Sequence, residues 1–230
     1  MIPKLNFVFD KEKDLKNIWE TCNTPESYGE SWKNAVTGNL YKICHNKKWN
    51  ESKKELEKEL EHFYQNKIFR IMGELFSKTW KKVEKDYFTR LKKIMKDEFY
   101  FKKVTVYMTS SNRCPYDPSP KNPSFYVRFF SNVPLLIQSC EHELMHIQFH
   151  NSKYWKICER GIGREKTFDI KESLTVLLNL ELGDLSTFRE RGYPHHKELR
   201  KFITAEWEKE KDFDVLIQKL IKWIKKNGIK

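Results

Sequence analysis

The polar and apolar positions of this chain change period once, near residue 101. Before it, helical spacing dominates. Residues 10–22, DKEKDLKNIWETC, suit one short helix, and residues 35–49, AVTGNLYKICHNKKW, a weaker second one. A long stripe follows: Leu56, Leu60, Phe63, Ile68, Ile71, Leu75, Phe76, Trp80, Val83, Tyr87, Leu91 and Ile94 recur mostly three and four apart. That is one face of an amphipathic helix. Ser52 with Glu55 offers a capping box at its start. The run exceeds an ordinary globular helix. It therefore breaks at Gly73 or at Gln65-Asn66, or it forms a long hairpin arm.

After residue 101 the period shortens. Residues 103–110, KVTVYMTS, alternate and are rich in β-branched side chains, so they predict a strand. Residues 111–123 hold four prolines and no periodicity, which predicts a loop. Residues 124–130, SFYVRFF, predict a second strand. A helix should follow, capped by Ser131 or Asn132, with Pro134 in its first turn, running to about His150. Residues 151–167 look irregular, with Gly161 and Gly163 as turn signals. Residues 168–182 read as one apolar helix ended by Gly183 and Asp184. Two amphipathic helices close the chain, from PHHKELRKFITAEW and DVLIQKLIKWIKKN. The expected architecture is α+β and mainly α: a helical N-terminal region, residues 1–100, and a core with a small sheet and C-terminal helices, residues 101–230.

Composition narrows the setting. The chain has 230 residues, 14% of them aromatic, enough to bury a sizeable core. No stretch approaches the about 18 apolar residues of a membrane span, and the N-terminus turns charged too soon for a secretory leader. Five scattered cysteines without a CxxC suggest reduced thiols. An intracellular, cytoplasmic protein is expected. The net charge of +12 could draw the chain to nucleic acid. Lysine far outnumbers arginine, however, and interleaves with glutamate along helical faces, so a solvated basic surface is the plainer reading.

The chemistry concentrates in residues 140–150, CEHELMHIQFH. His142 and His146 lie four apart, hence on one helix face about 6 Å apart along the axis, and can converge on one ion. Glu143 sits beside the first histidine, where it can take a proton from a water without binding the ion. The neighbours Cys140, Leu144, Met145 and Ile147 are uncharged, so the motif sits on a mostly apolar helix. There, a His-Glu-His cluster is costly without a partner. His150 continues the spacing but falls about 12 Å from His142 along the axis and about 80° round it, which excludes a shared ion. Glu172 is the favoured third ligand. It stands 26 residues after His146 on an otherwise apolar helix, where its charge needs a partner. Asp169, Glu159, Glu181 and Asp184 are its rivals.

HELMH followed by KESLTVLLN resembles the gluzincin class of zinc metallopeptidases. The resemblance covers residues 101–182. It implies a zincin-like core with zinc held by His142, His146 and Glu172, Glu143 as general base, and a peptide or protein substrate paired to an edge strand at FYVRFF. It also implies a downstream donor for the tetrahedral oxyanion, supplied here by Tyr193 or His195. The chain departs from the class where an acidic residue often follows the ligand glutamate by four. That position is Val176, so Asp169, Asn179 or backbone carbonyls must orient the histidines. Two other classes fit less well: a non-catalytic basic helical binding protein, with nucleic acid as the partner, and a zinc-bound pseudoenzyme.

Overall fold

The structure, a computed structural model, describes residues 1–25, 35–185 and 188–228. It is α+β and mainly helical. Four strands, β1 (Lys4–Val8), β2 (Lys103–Thr109), β3 (Tyr116–Asp117) and β4 (Ser124–Arg128), form one mixed sheet in the order β1-β2-β4-β3. β1 runs parallel to β2 with Lys4 opposite Lys103, and β2 runs parallel to β4 with Thr105 opposite Ser124. β3 closes the sheet antiparallel to β4, with Tyr116 opposite Phe125. Alternation decides the buried face: Val104, Val106 and Met108 of β2 and Phe125 and Val127 of β4 all point into the core.

The first helices are α1 (Lys11–Asn23), α2 (Gly38–Cys44), α3 (Trp49–Tyr64) and α4 (Ile68–Met95). The long stripe breaks at residues 65–67, and Gly73 stays inside α4. A Cβ at Gly73 would stand 3.1 Å from Met108 Cε, so the glycine lets α4 approach β2 closely. The expected capping box at Ser52 is not formed. α3 begins earlier, where Glu51 accepts from the Lys48 backbone N–H at 3.1 Å, and Ser52 instead donates to the Ile43 carbonyl at 3.1 Å. Leu15, Ile18, Leu40, Ile43 and Leu56 gather α1–α3 into a small cluster of their own. β1 and the C-terminal part of α4 instead belong to the main core: Leu5, Trp80, Tyr87 and Leu91 pack there with Val106, Leu144 and Leu174. Of the first hundred residues, β1 and α4 thus share a sheet and a core with the rest.

The second half continues with α5 (Val133–Asn151), α6 (Lys153–Ile162), α7 (Arg164–Leu174), α8 (Val176–Glu181), a single 3-10 turn (Pro194–His196), α9 (Lys197–Glu210) and α10 (Phe213–Asn227). Asn132 caps α5 by accepting from the Leu135 N–H at 3.0 Å. α6 occupies a stretch expected to be irregular. Ser152 caps it, and Tyr154, Trp155 and Cys158 are its buried face. The single apolar helix expected at 168–182 is instead two, α7 and α8, joined at Thr175. The Thr175 hydroxyl donates to the Glu172 carbonyl, and the buried Arg200 guanidinium reaches the Glu172 and Ser173 carbonyls and the Thr175 hydroxyl. Carbonyls released by the break are satisfied there, as burial requires. Among the described residues no helix is long and apolar enough to cross a membrane, and the five cysteines form no disulfide.

Candidate metal centre

α5 leaves the sheet directly after β4 and is buried along most of its length. α4 lies against it, with the Tyr87 hydroxyl donating to the Glu141 carbonyl at 2.7 Å. This fixes the helix that carries the histidines. α7 crosses it and brings Glu172 opposite. One ligand atom each from His142, His146 and Glu172 then lies within 4.8 Å of the others. Glu172 Oε2 is 3.2 Å from His146 Nε2 and 3.7 Å from His142 Nε2. The imidazole centroids are 4.2 Å apart.

These side chains face a cleft of about 300 Å³. Glu143, Arg113, Cys114, Tyr116, Phe168, Lys171 and Tyr193 also line it. Glu143 Oε2 is buried and has no hydrogen-bond partner among the described residues; the same holds for His146 Nδ1. Burial raises the Glu143 carboxyl to about 7. That oxygen lies in the same cleft as the two imidazoles and is free to accept a proton.

The other Glu172 oxygen is occupied. Lys171, itself buried, places Nζ 2.7 Å from Glu172 Oε1 and donates to the Tyr116 hydroxyl at 3.3 Å. Oε2 is left facing the histidines. Burial opposes the Glu172 charge, but a hydrogen bond with His146 and the Lys171 ammonium hold its carboxyl well below the usual range. Burial and Lys171 push His146 down to about 3, so its imidazole is neutral, as a ligand must be. Burial also opposes a charge on His142, but Glu190, with Glu143 and Glu172, lifts it to about 9. The lift reflects the negative charges that face His142. Two nitrogens and one carboxylate oxygen are a donor set that fits a divalent ion of the zinc type.

Glu190 orients His142: Oε2 lies 3.2 Å from Nδ1. Gln138 Nε2 donates to Glu190 Oε1 at 3.0 Å. Asn179 holds the Glu190 backbone through two bonds of 2.8 Å, and Arg200 donates to its carbonyl. Of the orienting groups expected, Asn179 therefore acts one step away, and Asp169 turns instead to His196 at 2.9 Å. Neither Glu190 nor Lys171 had a spacing signal, although a lysine beside a glutamate on an apolar helix face was a visible oddity.

The remaining candidates separate. His150 stacks on Trp155 with centroids 3.9 Å apart. Glu181 accepts from the Trp207 indole and pairs with Lys211, and Asp184 pairs with Arg90. Glu159 does not line the cleft. Tyr193 does, whereas His195 is exposed and lies beside His196 and Asp169. The edge strand next to the cleft is not the 124–130 stretch. β4 is internal, and β3, within the expected loop, is the edge, with the Tyr116 ring 5.7 Å from the His146 ring. Two residues with prolines on both sides carry no strand signal. Burial pushes the half-buried Cys114 thiol up to about 12, which disfavours the thiolate a nucleophile needs.

No family model, no curated protein and no solved structure matches the chain.

Proposed function

We propose that the protein is a zinc-dependent metallopeptidase with a zincin-like core. The observation that carries this is the convergence of His142, His146 and Glu172 in a cleft where Glu143 presents a buried, unpaired Oε2. His142, His146 and Glu172 would hold the ion. When bound, it would polarise the scissile carbonyl and acidify water.

The chain's own groups supply the rest. Glu143 takes the proton of the attacking water and returns it to the leaving amine. Glu190 keeps the His142 imidazole turned toward the ion, and Lys171 leaves Glu172 one oxygen with which to bind. β3 ends the sheet and borders the cleft, so its outer edge can pair with the backbone of an extended peptide. Tyr193 is the assigned oxyanion donor; the exposed His195 is the less favoured one. Reduced cysteines suit the cytoplasm.

Metal content of tag-free protein, followed by peptide-library cleavage, tests the reading. Wild type should carry about one zinc at this site, and His146→Ala and Glu172→Ala should each lose it. Glu143→Gln should keep the zinc and lose about 10²- to 10⁴-fold in turnover. A wild type that takes no zinc at His146 would sink the peptidase and leave a basic helical binding protein.

A further inference from the structure

A second group of donors includes a carboxylate from Glu172's own helix. Asp169, on α7, precedes Glu172 by three residues, so the two carboxylates are neighbours along the helix surface. The 3-10 turn Pro194–His196 packs against α7. The His196 N–H closes that turn on the Tyr193 carbonyl at 3.0 Å. Gly192, with φ +67°, sets the chain direction into it. His196 is fully buried, and its Nε2 lies 2.9 Å from Asp169 Oδ1.

A buried histidine against an aspartate is by itself an ordinary structural pair. The third member changes its chemistry. Successive side chains of a 3-10 helix normally diverge by about 120°. Here the His195 ring instead lies 4.0 Å from the His196 ring, at 61° to it. One ligand atom from each of Asp169, His195 and His196 falls within 4.8 Å of the other two. Donors about 2.1 Å from a tetrahedral ion stand about 3.4 Å apart, so small rotations of His195 close the set. Its composition, two imidazoles and one carboxylate, repeats that of the first group without sharing a residue.

We propose that Asp169, His195 and His196 form a second divalent-metal site, suited to a borderline transition ion such as zinc or cobalt. The buried His196–Asp169 pair is the preorganised half, and exposed His195 is the closing ligand. The site is open to water on the His195 side, so its ion exchanges more readily than one at the buried His146. Tyr193 stacks on His195, with centroids 5.8 Å apart and planes 21° apart, and also lines the first cleft. An ion here would fix the turn that carries Tyr193. The proposal stands whether or not the first site is catalytic.

The experiment is zinc titration of metal-stripped, tag-free protein, read by isothermal calorimetry and native mass spectrometry. Variants are His195→Ala, Asp169→Asn and His146→Ala. His195 is exposed, so its replacement leaves the core intact. Wild type should take up about two zinc ions, and each variant about one. The His146→Ala/His195→Ala chain should take up none. If His195→Ala and Asp169→Asn both bind as much zinc as wild type, the second site does not exist. A wild type that binds one ion, lost in His146→Ala and kept in His195→Ala, overturns it equally and leaves the first site standing. One ion lost in His195→Ala but kept in His146→Ala would uphold the second site and fail the peptidase reading instead.

Discussion

Lys171 buries an ammonium against a carboxylate that also faces two imidazoles, with side-chain exposures of 4% and 9% for the pair. Removing one partner of a buried ion pair costs about 3–5 kcal/mol, because the other charge is stranded. Lys171→Met should therefore destabilise the metal-stripped protein by about that amount. Zinc would offset the stranded Glu172 charge, so the loaded variant should lose much less. Thermal unfolding with and without chelator reads the difference. An equal loss in both states would show that Lys171 matters only for packing. Glu190→Gln keeps the bond geometry but removes the negative charge beside His142. It should weaken zinc binding by about 10- to 100-fold, measured by competition with a chromophoric chelator. His142, Glu143 and His146 were legible because helix geometry alone places them. Glu172 was legible because a charge on an apolar helix needs a partner. Lys171 and Glu190 were not, since their roles arise from how α7 and the segment before the 3-10 turn fold back on α5.

The helix–helix corners decide where Glu172 lands. Gly163, between α6 and α7, has φ +83° and ψ 164°, a region open essentially to glycine alone. Nothing lies within 4 Å of a Cβ built there, so a side chain would meet strain without a clash. Gly163→Ala should cost about 1–3 kcal/mol. Tm should fall by about 2–4 °C for each of those kcal/mol in a chain of this size. An unchanged Tm would mean that the corner relaxes freely. The two nearby glycines explain why α6 was invisible to periodicity. Gly161 lies within the helix, where a Cβ would stand 3.1 Å from Ile221, and only Gly163 makes the turn. The reverse happened at Thr175, where an unbroken apolar pattern hid a corner held by Arg200 from α9.

At the scale of the whole molecule, the mainly helical α+β class followed from the two periods, but the sheet order did not. KLNFV is too short to announce a strand, and its partner lies about a hundred residues away. A chain reduced to residues 101–230 would lack β1 and the α4 face that contributes Trp80, Tyr87 and Leu91 to the core. It should fail to unfold cooperatively on heating. A sharp transition in that fragment would support the division at residue 100. The parallel pairing of Lys4 with Lys103 also sets a clock. At about 5–20 residues per second of synthesis, β1 waits roughly 5–20 s before β2 has been made. Through that interval Leu5 and Phe7 have no sheet to join, and the cleft, lined by residues between Arg113 and Tyr193, is synthesised later still.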